Sequence, residues 1–485
     1  MRAPSTVSAR PPQADEQTRR AWQVLSVTSI GMVLTYLNTS TLNVALPTLA
    51  RHYHSGPTAT SWFVLAYQIT TTTLILPFGR LTDIAGRKRL YVSGLALIAT
   101  ASLASAFAPD AATLITLRAL QGIGGACVLA NTTALLVDAF PSRLLATGLG
   151  LNVTAAAAAG VLGPVVGGGL LATLGWRSIF WFNAPIGAIG LWWAIRTLPA
   201  GRAAASRERE RFDLPGAALA ATVLLGLVLL ASRAGGPSGI DALGLTYGLV
   251  ALCTLVLLIV VERRRPDPLI DLTLLRHRGR SMAYAATTLM STAQASLPLL
   301  VALFLQNVQG VAPFQAGLWI TPLAAATMLA SPIMGRLAGR FDPRLLTTTG
   351  FALVGTGVLW LALSLSVDSS RPMLIVILGI TGLGSGLFQA PNTAALMAGV
   401  PHDRRGIAGS LRTTLQNTGQ MISVSVCLAI VAAAVPTSAQ GDVVAGTGGS
   451  LLGRTVDGFR WAFLAMSFVC VVGGVTSAAR GSRSR

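Results

Sequence analysis

The sequence predicts an all-α polytopic membrane protein, two six-helix bundles with two extra helices between them, and three observations predict it. Hydrophobic residues make up 52% of the 485 positions and charged residues 11%, with a mean hydropathy of +0.64, too apolar for an ordinary soluble domain. The apolar residues gather in fourteen stretches of about 20 residues, long enough to cross roughly 30 Å of hydrocarbon as helices, and the ten-residue alternation of a membrane barrel is absent from them. The basic residues fall in alternate gaps between these stretches.

In chain order, residues 1–21 are a polar tail expected in the cytoplasm. Residues 22–198 form an N-terminal bundle, with spans Trp22 to Ala45, Ser61 to Phe78, Leu90 to Phe107, Ala112 to Leu136, Leu145 to Leu174 and Ile179 to Leu198. Residues 199–280 hold two inserted spans, Leu214 to Ala231 and Ile240 to Val261, between charged loops. Residues 281–480 form a C-terminal bundle, with spans Ser281 to Leu305, Phe314 to Met334, Leu345 to Leu365, Pro372 to Met397, Ile407 to Val435 and Phe459 to Ala478; residues 481–485 are a second cytoplasmic tail. No small-residue cleavage pattern follows the first span, so it is expected to remain as an anchor.

Charge sets the orientation. With both termini in the cytoplasm, Arg51, Arg177, Arg233, Arg371, Arg454 and Arg460 fall in outer loops and the other loop Lys and Arg residues fall inside. This topology accounts for the net charge of +19 and makes a nucleic-acid surface unnecessary. Cys127, Cys253, Cys427 and Cys470 lie within spans, without a CxxC pair, and read as packing residues. The four histidines lie in loops, and no metal site or cofactor is expected. GIGG at Gly122 to Gly125 and GLGSG at Gly382 to Gly386 have no preceding strand and no following Lys-Ser/Thr, which argues against nucleotide loops. The chain reads as no enzyme; transport energy would come from an ion gradient or from the substrate's own.

Two charges lie within the spans, Arg118 and Arg412, while none of the 17 carboxylates lies well inside one. A charge in lipid is costly enough to mark a working site or a structural tie. The strongest motif is GRLTDIAGRKR, Gly79 to Arg89, in the short loop after the second span. Gly79 and Gly86 permit a tight turn and close helix approach, Asp83 can cap a helix or pair with an arginine, and Arg87, Lys88 and Arg89 would hold the loop at the inner headgroups. GRLAGRFDPR, Gly335 to Arg344, echoes it in the second half, as parallel six-helix repeats would.

The loop motif closely resembles the signature of the major facilitator superfamily. LNTSTLNVALP (Leu37 to Pro47), RALQGIGGA (Arg118 to Ala126) and GVLGPVVGGGL (Gly160 to Leu170) resemble, in order, motifs of that superfamily's fourteen-span drug:proton antiporters. QAGLWITPLAAA and SPIMGRLAGR are similar too, so the resemblance covers nearly the whole chain. It implies the major facilitator fold, and a hinge or seal at Gly163 and Pro164 that favours exchange over uptake. It also implies that Arg118 serves proton transfer or gating. One departure stands out: Asn38 occupies a position where the family usually carries Asp, and an amide neither titrates nor attracts cations.

From the residues alone, Arg118 could instead tie to backbone carbonyls or to Asp110. Arg412, about five residues into its span, is read as snorkelling to the headgroups in preference to a cavity-facing cation that would attract an anion. Asp138 ends the fourth span and could latch to Arg143 or the loop basics, or simply be solvated. Amides within spans need partners and should face the bundle interior. Asn38, Gln121, Asn152, Gln294, Gln389, Asn392 and Asn417 are candidates to line an uncharged substrate cavity, although helix-to-helix bonds would account for half or more of the span amides. The expected function is secondary active export of drug-like or antibiotic-like molecules across the cytoplasmic membrane, coupled to protons, by a monomer in the lipid bilayer. Proton carriers would then be sought at Asp83, Asp110 or Asp138, or on the substrate. The alternative is a facilitator or symporter of a neutral or anionic metabolite.

Overall fold

The computed structural model describes residues 12–55, 57–199, 214–234, 241–264, 278–311, 313–337, 341–367, 369–398, 400–401, 404–434 and 452–480. The regular elements among them are α-helices. The first half holds α1 (Pro12–His52), α2 (Pro57–Ala85), α3 (Arg87–Ser105), α4 (Ala111–Ala139), α5 (Ser142–Leu174) and α6 (Arg177–Thr197). A central pair follows, α7 (Leu214–Ala234) and α8 (Ala242–Arg264). The second half holds α9 (Arg278–Gln294), α10 (Leu297–Asn307), α11 (Pro313–Leu337), α12 (Pro343–Ser364), α13 (Arg371–Met397), α14 (Arg405–Ala433) and α15 (Leu452–Ala478).

As far as the described residues reach, thirteen of the fourteen apolar stretches fall on one helix each and the ninth on two, and nine helical segments, one of them Arg278–Gln306 across that break, are long and apolar enough to cross a membrane. Two differences from the sequence reading have physical causes. The first helix starts at Pro12, inside the polar stretch, because Pro suits a helix's first turn and Glu16 and Arg20 pair one turn apart at 2.7 Å. The ninth span is broken into α9 and α10 at Ala295 and Ser296. Pro298 lacks an N–H and would clash with the Gln294 carbonyl of a continuous helix. Ser423 of α14 braces the break, accepting from the Ser296 amide at 3.1 Å and donating to the Ser296 hydroxyl at 2.9 Å.

The halves pack by an exchange of helices. The second helix of each, α2 or α11, lies on the fifth helix of the other, α14 or α5. Both glycine motifs explain this contact. A Cβ on Gly79 would collide with Ser410 and approach the Gly406 carbonyl to 3.0 Å; one on Gly335 would collide with the Ala146 carbonyl. Backbones this close require the missing side chain. α7 wedges against α2 and α14, and α8 packs on α7.

The turn after α2 defines the Asp83 end of the molecule. Gly86 adopts φ 95°, a conformation that costs glycine little, and so lets α3 start one residue after α2 stops. Lys88 donates to the Ile195 and Leu198 carbonyls, both at 2.7 Å; it therefore caps the C-terminus of α6 instead of only anchoring the loop at headgroups. At the opposite end Asp110 caps α4, accepting from the Thr113 amide at 2.8 Å.

Candidate functional site

Arg118 is fully buried, two turns into α4, at the centre of a polar knot drawn from five helices. Its Nη1 donates to Asn38 Oδ1 on α1 at 2.9 Å and to Gln121 Oε1 at 2.6 Å, and its Nε donates to the Phe63 carbonyl of α2 at 3.0 Å. The guanidinium lies over the Tyr67 ring, 4.7 Å from its centroid. Gln121 donates onward to Ser102 of α3 at 2.9 Å, and Asn183 of α6 donates to Asn38 Oδ1 at 3.3 Å. Nη2 has no partner. Among the described residues, then, every hydrogen-bond acceptor for this cation is a neutral dipole and none is a carboxylate. Asn38 and Gln121 are thus brought to Arg118, while Asp110 is engaged in its cap. Hydrogen bonds from the Thr113 amide and hydroxyl hold the Asp110 carboxyl below its ordinary value, so it stays ionised at neutral pH.

Three of the other candidate amides tie helices together. Asn152 of α5 reaches Thr28 of α1 at 3.4 Å, and Gln294 of α9 accepts from Ser385 of α13. Asn392 donates to Thr287 of α9 at 2.9 Å and accepts from Arg480, so it closes the C-terminal end of the second half. Burial pushes the Arg480 guanidinium down to about 10, which leaves it charged at neutral pH. Gln389 on α13 and Asn417 on α14 are half-buried. Arg412 does not turn toward the nearer helix end. Its Nη1 donates to Gln416 Oε1 at 2.8 Å, one turn further along α14.

At the Asp83 end, Asp138 closes α4 between two arginines. It pairs with Arg87, the first residue of α3 in its own half, and with Arg405 Nη1, the first residue of α14 in the other half, at 2.8 Å. The three side chains are 12–26% exposed. The same end holds the tight contacts of Gly79 and Gly335, together with Gly150 against the Ser331 backbone. Asp83 sits in the last turn of α2; its side chain lies outside the described residues.

α5 runs unbroken through its glycine motif. A Cβ on Gly163 would collide with Ser40, and one on Gly167 would come within 3.0 Å of Thr41 Cα and of the Thr41 carbonyl, so α1 and α5 approach closely there. Ser40 donates to the Gly160 carbonyl at 2.9 Å. The Pro164 side chain lies outside the described residues. Gly168 and Gly169 face open space. Reasoning from sequence missed Asn183, Ser102, Tyr67 and Arg405. Asn183 was detectable as an amide within an apolar span; the other three resemble ordinary span or loop residues.

Two helical halves with exchanged packing helices, a buried polar layer in one of them and an ionic clamp across one end define a multi-pass transporter of small molecules. The sequence model of the Major Facilitator Superfamily matches residues 28–424 and, in a second match, 282–480. The chain belongs to that superfamily. It is 32% identical over 413 residues to "Multidrug resistance protein Stp" of Mycobacterium tuberculosis, covering 84% of this chain and 75% of that one. It is 30% identical over 399 residues to "Riboflavin transporter RibZ" of Clostridioides difficile, covering 82% and 86%. The crystal structure of the human organic anion transporter MFSD10 (TETRAN) aligns with a TM-score of 0.65 at 16% identity, over 96% of this chain and 100% of that chain, a likeness of fold.

Proposed function

We propose that the protein is a proton-coupled exporter of drug-like or antibiotic-like molecules in the cytoplasmic membrane, with fourteen spans and both termini inside. Similarity to Stp supports the substrate class, and the excess of basic residues in alternate loops supports an inward-facing Asp83 end. The observation that carries the mechanism is Asp138 held by arginines from both halves. Opening the Asp83 end requires this clamp to break and the Gly79 and Gly335 contacts to separate. A proton arriving on Asp138 removes the charge that Arg87 and Arg405 share, which ties proton uptake to the change of access. Arg118, held by neutral dipoles, supplies a fixed positive potential in the first half; the amides around it provide hydrogen bonds.

The test is drug susceptibility of an efflux-deficient host expressing the protein, with and without a protonophore. Resistance that the protonophore removes, and that Arg118→Ala loses while the protein still reaches the membrane, supports export. Unchanged susceptibility across a broad compound panel overturns it. A second reading, a facilitator or symporter of a neutral or anionic metabolite, draws support from the similarity to RibZ and from the neutral partners of Arg118. Uptake that follows the compound's own gradient, without response to the protonophore, would select it.

A further inference from the structure

α14 has two unlike faces. At 3.6 residues per turn, Arg412, Thr413, Gln416, Asn417, Gln420 and Ser423 share an arc of about 140°, and Leu411, Leu415, Ile422 and Val426 lie opposite. Near the Asp83 end, the polar side is closed against the first half: Gly406 meets Gly79, Gly409 meets Thr133, and the Ser410 hydroxyl reaches the Ala130 carbonyl at 3.4 Å. Further along, Arg412, Gln416, Asn417 and Gln420 are half-buried instead of sealed. A polar stripe partly open at the middle of a membrane helix requires water or ligand in front of it.

Arg412 is the charge on that stripe. Its hydrogen-bond partners, Gln416 at 2.8 Å and Thr413 at 3.5 Å, belong to its own helix, and among the described residues its Nε has none. Among the described residues no carboxylate pairs with it. α14, which carries it, packs on α2 and α4 of the first half as well as on α9 of its own, which sets the cation on a helix at the seam of the two halves. The edge formed by Nε and Nη2, the edge that grips a carboxylate through two parallel hydrogen bonds, is therefore short of acceptors.

We propose that Arg412 is the anion-recognition point of the substrate cavity, so that the compounds carried combine an apolar body with a carboxylate. For its place in transport this inference rests on the export reading above. Gln416 orients the guanidinium.

The test compares 2-naphthoate, its methyl ester and a naphthylmethyl trimethylammonium ion, by calorimetric binding to the full chain in lipid nanodiscs. The expected result is naphthoate bound about ten- to hundredfold more tightly than the ester, the range of a charge-assisted hydrogen-bond pair. Arg412→Gln should abolish that preference and Arg412→Lys should keep part of it, which controls for a variant that fails to fold. Equal affinity for naphthoate and ester in the unsubstituted protein, no naphthoate binding, or a preference surviving Arg412→Gln overturns the proposal. Transport of the same probes into proteoliposomes separates the two readings. Movement of the ester or the cation without preference for naphthoate overturns the anion subsite and leaves export standing. Naphthoate binding that depends on Arg412, with none of the probes moved, upholds the subsite and counts against export.

Discussion

Replacing Asp138 by Asn should shift the protein toward a form open at the Asp83 end. The pair between Asp138 and Arg405 is the part of the clamp that crosses from one half to the other, at 2.8 Å. A hydrogen bond to a charged group contributes about 1.5–3 kcal/mol. Exposures of 22% and 26% call for a discount for solvent screening, leaving about 1–2 kcal/mol, or about a five- to thirtyfold shift in the equilibrium. Two arginines then face each other without the carboxylate between them, which adds to the shift. Spin labels at Arg89→Cys and Phe341→Cys, both exposed and on opposite halves at this end, report the distance after the exposed Cys253 is replaced by Ser. Pulsed dipolar spectroscopy should show a longer-distance population in Asp138→Asn and a similar one in Arg405→Gln, with the double substitution adding little. A distribution unchanged by either single substitution refutes the clamp.

Gly79→Val should open the same end by a different route, since its side chain enters the space of Ser410, and the same labelled pair checks it. Gly86→Ala should cost about 1 kcal/mol or more through strain at φ 95°, read as a lower thermal midpoint in detergent. Asn38→Asp places a carboxylate on Arg118 Nη1, where attraction of about 4 kcal/mol at an effective dielectric of 20 offsets much of the cost of burying it. Resistance to a quaternary ammonium compound should rise; unchanged resistance would remove Asn38 from the substrate path. Asp110→Ala should lower the thermal midpoint at pH 7. Because the folded-state value of Asp110 is depressed, its stabilising effect is present at neutral pH and is lost as pH falls through that value, so the two proteins should converge in acid.

Hydropathy summed over 20 residues made the helices legible, because every apolar stretch must be satisfied along its own backbone. The break before Pro298 was not, since a membrane helix can either kink or continue at proline and the choice here depends on Ser423 of another helix. Arg118 was conspicuous as a lone charge in an apolar run, and Asn38 and Gln121 stood in recognisable motifs. Their partners Ser102 and Asn183 were harder to single out, since a short polar side chain within a span does not reveal which neighbour it meets. Arg405 was one basic residue among many in the loops; its pairing with Asp138 spans 267 positions and exists only once the halves close. Arg412 sat close enough to its span's start to suggest snorkelling, but the direction of its side chain is set by Gln416 and the seam it faces.

Exchange against protons can be measured with purified protein in proteoliposomes carrying an imposed pH gradient. A transported compound should move against its own concentration gradient, protons should move the opposite way, and a protonophore should stop both. Movement that follows only the compound's own gradient, at the same rate with and without the pH difference, would contradict it.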